Sequence, residues 1–254
     1  MKARSRSSST PTRRSSLRKS AARGERWTEN SVLRELKELA DPKVREKMAY
    51  FGVNVPKAYG ISAPVLHALS RRIGKDHRLA EDLWATGIHE AKILATLIGE
   101  PKKVTAKQMD RWAREFNGWD EVDAACRYLY AFSAPAWSKV DAWSHRKEEY
   151  VKRAAFSLMA YLSYLDRESP DSRFATLLPI IERESDDERN FVRKAVNWAL
   201  RQIGKRNIAL NLAAIGTAER IRRRGSRAAR WIAADAVREL KSEAVQKRLR
   251  QKRA

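Results

Sequence analysis

Cysteine is nearly absent from this chain: Cys126 is the single one among 254 residues. One thiol excludes an intramolecular disulfide, fits a reducing compartment, and leaves nothing to hold a zinc or iron–sulfur centre. Histidine is scarce too, and His67, His77, His89 and His145 show no metal-ligand spacing. No run approaches the roughly 18 apolar residues of a membrane span, and the N-terminus lacks the apolar core of a secretory signal. There is no glycine-rich phosphate loop and no His-Glu-x-x-His. No cofactor and no metal is therefore expected. Acidic residues are also under-represented, 31 against 53 Lys and Arg, leaving a net charge of +22. Such an excess favours a polyanionic partner: nucleic acid, or less often an anionic membrane surface.

What the chain does have is enough hydrophobic content, 43%, for a substantial core. Its charge is uneven. Residues 1–24 carry eight basic residues, no acidic ones and many Ser, the composition of a disordered arm. An Arg- and Ser-rich start also resembles a mitochondrial transit peptide, although it has no amphipathic apolar face. From Glu219 onward there are thirteen basic residues and four acidic ones. The expected organisation is a basic arm at 1–24, one helical domain over 25–240 and a basic tail at 241–254, in a cytoplasmic monomer without membrane contact.

The body reads as helix after helix. Asp41-Pro42 is a capping residue followed by Pro at the first helical position, and the run from it stops at Gly52. Ser62 with Pro64, Asp76, Ile88 and Thr105 open the next four helices, and Trp119 to Phe132 follows. Further helices are predicted at 135–143, 148–165, 171–183, 187–203, 208–223 and from Ser226. No segment alternates apolar and polar residues over strand length. Helices of roughly 10 to 17 residues joined by short loops suit antiparallel pairs, stacked as a solenoid or gathered in a compact orthogonal bundle.

One pentapeptide stands out in so basic a protein: Trp119-Asp120-Glu121-Val122-Asp123. On a helix Trp119 and Asp123 share a face, setting a carboxylate beside an aromatic ring. Asp120 and Glu121 are expected on the solvent side. Two later segments carry basic and aromatic residues at helical spacing, Tyr150-Val151-Lys152-Arg153-Ala154-Ala155 and Phe191-Val192-Arg193-Lys194-Ala195-Val196-Asn197-Trp198-Ala199-Leu200-Arg201.

Together these segments, with Gly60-Ile61-Ser62-Ala63-Pro64, resemble the AlkD family of DNA alkylation repair glycosylases over about Asp41 to Asn207. The resemblance implies an all-α solenoid of HEAT-like repeats, built of antiparallel helix pairs, with a concave DNA-binding face. It implies Asp123 as the catalytic carboxylate, joined by Trp119, Trp198 and Arg153, with Arg153 holding a backbone phosphate. The implied partner is duplex DNA containing alkylated purines, attacked without extruding the base. The chemistry suits the residue types: an N3- or N7-alkylpurine is cationic, its glycosidic bond breaks through an oxocarbenium-like sugar, and a carboxylate can stabilise that sugar and orient water. Two Trp faces can pack against the sugar and the cationic base.

Each residue taken alone has a plainer reading. Trp119 and Trp198 can be packing residues, Asp123 an exposed charge or cap, and Arg153 part of a solvated face. Lys152, Arg193, Lys194 and Arg201 are expected to bind DNA, but they also fit a soluble basic surface. Lys152 and Lys194 leave a Schiff base open, although hydrolysis needs none. The order and spacing of the three segments favour an alkylpurine glycosylase. The alternative is a noncatalytic HEAT-repeat protein that binds branched or distorted DNA.

Overall fold

The computed structural model describes residues 26–53 and 56–251, so the expected disordered arm at 1–24 lies outside the described residues. Capping chemistry sets where the helices begin. Helix α1 (Glu29–Glu38) starts from a Thr28–Ser31 capping box. Helix α2 (Pro42–Tyr50) has the Asp41 carboxylate accepting from the Lys43 amide. Next come α3 (Ala63–Ile73) and α4 (His77–Ala85), the latter capped by Asp76 through the Leu79 amide. Helices α5 (His89–Ile98) and α6 (Ala106–Arg114) are followed by α7 (Trp119–Tyr128) and α8 (Ala136–Ser144). Helix α9 (Glu149–Leu165) is the longest.

The span predicted as one helix over 171–183 is two, α10 (Asp171–Ala175) and α11 (Leu178–Arg183). Pro179 accounts for the break, since a proline ring collides with the carbonyl four residues before it and donates no hydrogen bond. Helix α12 (Asn190–Gly204) begins three residues later than expected, behind a 3-10 turn at Glu184–Asp186. Helices α13 (Ile208–Arg223) and α14 (Arg227–Leu240) are capped by Asn207 and Ser226, and α15 (Glu243–Gln251) occupies most of the basic tail. No strand occurs among the described residues.

Packing arranges these helices in two rows. Helices α3, α5, α7, α9, α12 and α14 contact one another in succession, α9 against α12 most extensively. A second row includes α4 against α5, α8 against α9, and α13 against both α12 and α14. This is the expected all-α solenoid of HEAT-like helix pairs, in which each pair buries its apolar face only against its neighbours. One continuous core runs through it, from Val32 and Leu36 to Ala236 and Leu240. Close helix approach is bought locally by Gly204, where an added Cβ would stand 2.7 Å from Leu240 Cδ2 and 3.0 Å from Ala214 Cβ. The helix α2 is the exception to burial, with no buried residue of its own.

Candidate functional site

Helix α7 begins with the pentapeptide Trp119 to Asp123 and sets it in the first of these rows, with α9 beside it. Trp119 and Asp123 fall on one face of α7, and Arg153, Ser157 and Tyr161 fall at successive four-residue steps along α9. Asp123 meets that stripe directly. Arg153 Nη2 donates to both its oxygens, at 3.0 and 2.9 Å, and Ser157 Oγ donates at 3.0 Å. The other arm of the guanidinium, Nη1, donates to the Phe191 carbonyl at 3.0 Å, which ties α9 to the start of α12. Arg153 is buried, its side chain 7% exposed, against 20% for Asp123. Burial raises the Asp123 carboxyl above its usual range, while Arg153 and Ser157 pull it back toward ionisation.

Around this pair lies a cleft of about 560 Å³, lined by Phe51, Trp119, Asp123, Tyr161, Trp198 and Trp231 together with basic residues of α12. The Trp119 indole is fixed by donation from Nε1 to the Phe51 carbonyl at 3.1 Å, and the Arg153 guanidinium lies 6.0 Å from its ring centre. Trp198 meets Tyr161 edge to face at 4.9 Å. The four residues expected to carry chemistry, Asp123, Trp119, Arg153 and Trp198, thus line one cleft although they come from three helices. A second recess of about 370 Å³, lined by residues of α2, α3, α5 and α7, shares Trp119, Asp123 and Tyr161 with the first.

The basic residues expected to contact DNA are distributed differently from one another. The guanidinium of Arg153 is engaged by Asp123, not left open. Lys152 Nζ is 2.5 Å from Glu184 and 3.6 Å from Asp187. Arg201 pairs with Glu239 and Asp235. Arg193 and Lys194 have no carboxylate partner among the described residues. Arg193 stacks its guanidinium 5.1 Å from the centre of the Trp231 ring.

The expectation that Asp120 and Glu121 face solvent fails at Glu121, while Asp120 is partly exposed. Glu121 is fully buried. Its carboxylate takes Lys92 Nζ at 3.1 Å, His89 Nδ1 at 3.1 Å and the Asn117 amide at 2.9 Å. His89 Nε2 lies 2.9 Å from Asp120. Burial alone would strip His89 of its proton, but the two carboxylates outweigh it and raise its pKa to about 10. The neighbouring Glu90, also fully buried, accepts from the amides of Tyr59 and Gly60 at 2.9 and 2.7 Å. One turn of α5 therefore anchors both the start of α7 and the Gly60-Ile61 segment. Gly60 itself has φ +81°, and an added Cβ would press within 2.8 Å of the Arg45 amide.

Sequence reasoning passed over Ser157, Tyr161, Phe51 and Trp231. The first two were marked only by their four-residue spacing from Arg153. Trp231 carried no local signal, and Phe51 reaches the cleft because Gly52 turns the chain at φ +78°. Tyr50 and Phe51, 85% and 65% exposed, stand beside the cleft with their rings edge to face. Cys126 is wholly buried and its thiol is pushed well above the usual range by burial, so it is an inert packing residue. Among the described residues, no group of three or more His, Cys, Asp or Glu converges as a metal site.

The comparisons with known proteins agree with this architecture. No curated protein matches the chain at a significant level. A solved structure from a family described as related to the HEAT-like repeat DNA glycosylases, with affinity for branched DNA structures, superposes with a TM-score of 0.71 at 20% identity. The match covers 88% of this chain and 96% of that one. At that identity the likeness speaks for the fold. The family model for DNA alkylation repair enzymes matches residues 32–240, a wider span than the Asp41 to Asn207 stretch that carried the resemblance. The chain belongs to the DNA alkylation repair enzyme family.

Proposed function

We propose that the protein is a DNA glycosylase that hydrolyses the N-glycosidic bond of cationic N3- or N7-alkylpurines in duplex DNA. The observation that carries this reading is the meeting of Asp123, Trp119 and Trp198 in one cleft, with the carboxylate oriented by Arg153 and Ser157. In the reaction the bond from C1′ to the ring nitrogen breaks, its electron pair neutralises the departing base, and positive charge grows on the sugar. Asp123 stabilises that charge and directs onto C1′ a water that loses its proton to solvent as the new C–O bond forms. Trp119 and Trp198 shape the walls against which the deoxyribose packs. Arg153 holds Asp123 in one orientation before DNA arrives, and a backbone phosphate entering the cleft competes for its guanidinium.

A second reading is supported by that same ion pair. With both oxygens of Asp123 engaged by one guanidinium nitrogen, the carboxylate is largely neutralised, as suits a protein that binds distorted DNA without excising a base. The solved relative is described as having affinity for branched DNA. Incubation with duplex DNA bearing 7-methylguanine and with a four-way junction separates the two. Chromatographic detection of the released base supports the glycosylase; tight junction binding with no base released from the duplex supports the second reading.

A further inference from the structure

Some of the basic residues expected at the DNA face are tied to carboxylates and others are not. Arg153 and Arg201 are paired within the cleft, and Lys152, which does not line it, is paired with Glu184. Lys194 in the cleft and Arg127 in the adjoining recess have no carboxylate partner among the described residues, and a further group of unpaired cations lies toward α14. Arg193 is half-buried, its Nε makes no hydrogen bond among the described residues, and its guanidinium lies over Trp231. Trp231, 37% exposed, lines the cleft. One turn before it on the same stripe of α14 is Arg227, and Arg230 is adjacent in sequence. Arg223 ends α13 across the Gly225 turn. Arg223 and Arg227 are exposed and unpartnered among the described residues, and Arg230 is bound only to the Gly225 carbonyl.

We propose that Arg193, Trp231, Arg223, Arg227 and Arg230 form a second DNA-contact site that grips the phosphate backbone of a duplex arm beyond the lesion. An Arg held over an exposed Trp, as Arg193 is with Nη2 3.5 Å from Asn190 Oδ1, keeps its guanidinium in a fixed plane, a geometry suited to phosphate oxygens. The three Arg residues follow in sequence around the Gly225 turn, and none of them pairs with a carboxylate among the described residues, Glu188 and Asp186 at this end of α14 being taken by the Ala228 amide and by Arg224. Continuity with the cleft through Trp231 makes the occupant the same DNA that the cleft engages. The inference rests on the DNA reading above, and not on whether the bond is cut.

The experiment compares the full protein with the triple variant Arg223→Gln, Arg227→Gln, Arg230→Gln on duplexes of about one turn and about two and a half turns, each with one 7-methylguanine. Binding is followed by fluorescence anisotropy over a salt series, and base release is followed on the short duplex. Each lost phosphate contact removes about 0.9 from the slope of log K against log salt. The expected result on the long duplex is a slope lower by about 2 to 3 with affinity weakened about tenfold at low salt. On the short duplex, affinity and base release are expected to stay as in the full protein. An unchanged slope on the long duplex overturns the site. So does equal weakening on both lengths, or an equal effect from neutralising Lys102, Lys107 and Arg167, because either would mean net charge alone. Absence of base release by both proteins, with the length-dependent slope intact, would remove the glycosylase reading and leave the second site standing.

Discussion

Arg153 reaches Asp123 through a single terminal nitrogen, Nη2, which lies 3.0 and 2.9 Å from its two oxygens. The pair joins α7 to α9, and the other guanidinium arm extends the join to α12 through Phe191. A buried carboxylate left without that partner would favour protonation. Arg153 is therefore the group that keeps Asp123 charged enough to face a cationic sugar.

A pH dependence follows. Burial holds the Asp123 carboxyl above its usual range, against the pull of Arg153 and Ser157. Base excision requires the ionised form, so the rate is expected to fall as pH drops through a value above that of an ordinary Asp. Replacing Arg153 with Gln removes a lowering influence and should move this acid limb to higher pH. A profile of single-turnover rate against pH for both proteins tests it, and an acid limb shifted downward in Arg153→Gln would contradict it.

The buried His89 cluster makes stability depend on alkaline pH. The pKa of about 10 in the folded protein lies above the ordinary 6.5. The folded state therefore binds this proton more tightly than the unfolded state, and the stabilisation is complete below about pH 6.5. It is lost as pH rises toward 10. His89→Gln should lower stability at pH 6 by on the order of 2 kcal/mol, the scale of hydrogen bonds to charged groups, and flatten the decline between pH 7 and 10. Urea unfolding across that range checks both, and parallel curves for the two proteins would refute the assignment.

Gly60 is where the segment before α3 turns back under α2. Its φ of +81° and the nearness of the Arg45 amide exclude a side chain. Gly60→Ala is expected to cost at least about 2 kcal/mol, combining left-handed strain with backbone collision. Thermal unfolding measures it. Because the amide of Asp41, the cap of α2, donates to the Tyr59 and Gly60 carbonyls here, the same substitution should also increase amide exchange in 42–50 relative to α9.

Much of the fold was legible because its signals are local. Asp41-Pro42, Asp76, Thr105 and Ser226 cap the helices they were expected to open. Pro179 was a local signal too, but the apolar residues around it masked the break. The meeting of Asp123, Arg153 and Trp198 was legible only through their order along the chain, since no local rule brings residues 30 and 45 apart onto one face. Glu121 was misplaced for the same reason: its partners His89 and Lys92 lie on α5, about thirty residues earlier, and nothing beside Glu121 announces them. Charge content likewise overstated the free cations at the cleft, because pairing with Glu184 and Glu239 is set by tertiary register.

The account turns on Asp123, and the most direct measurement is single-turnover release of 7-methylguanine from duplex DNA by the intact protein and by Asp123→Asn. The substitution keeps the side-chain shape and removes the charge, so DNA binding should persist while release falls by about a hundredfold or more, the scale of losing one preorganised electrostatic group. Equal release by the two proteins would contradict the account.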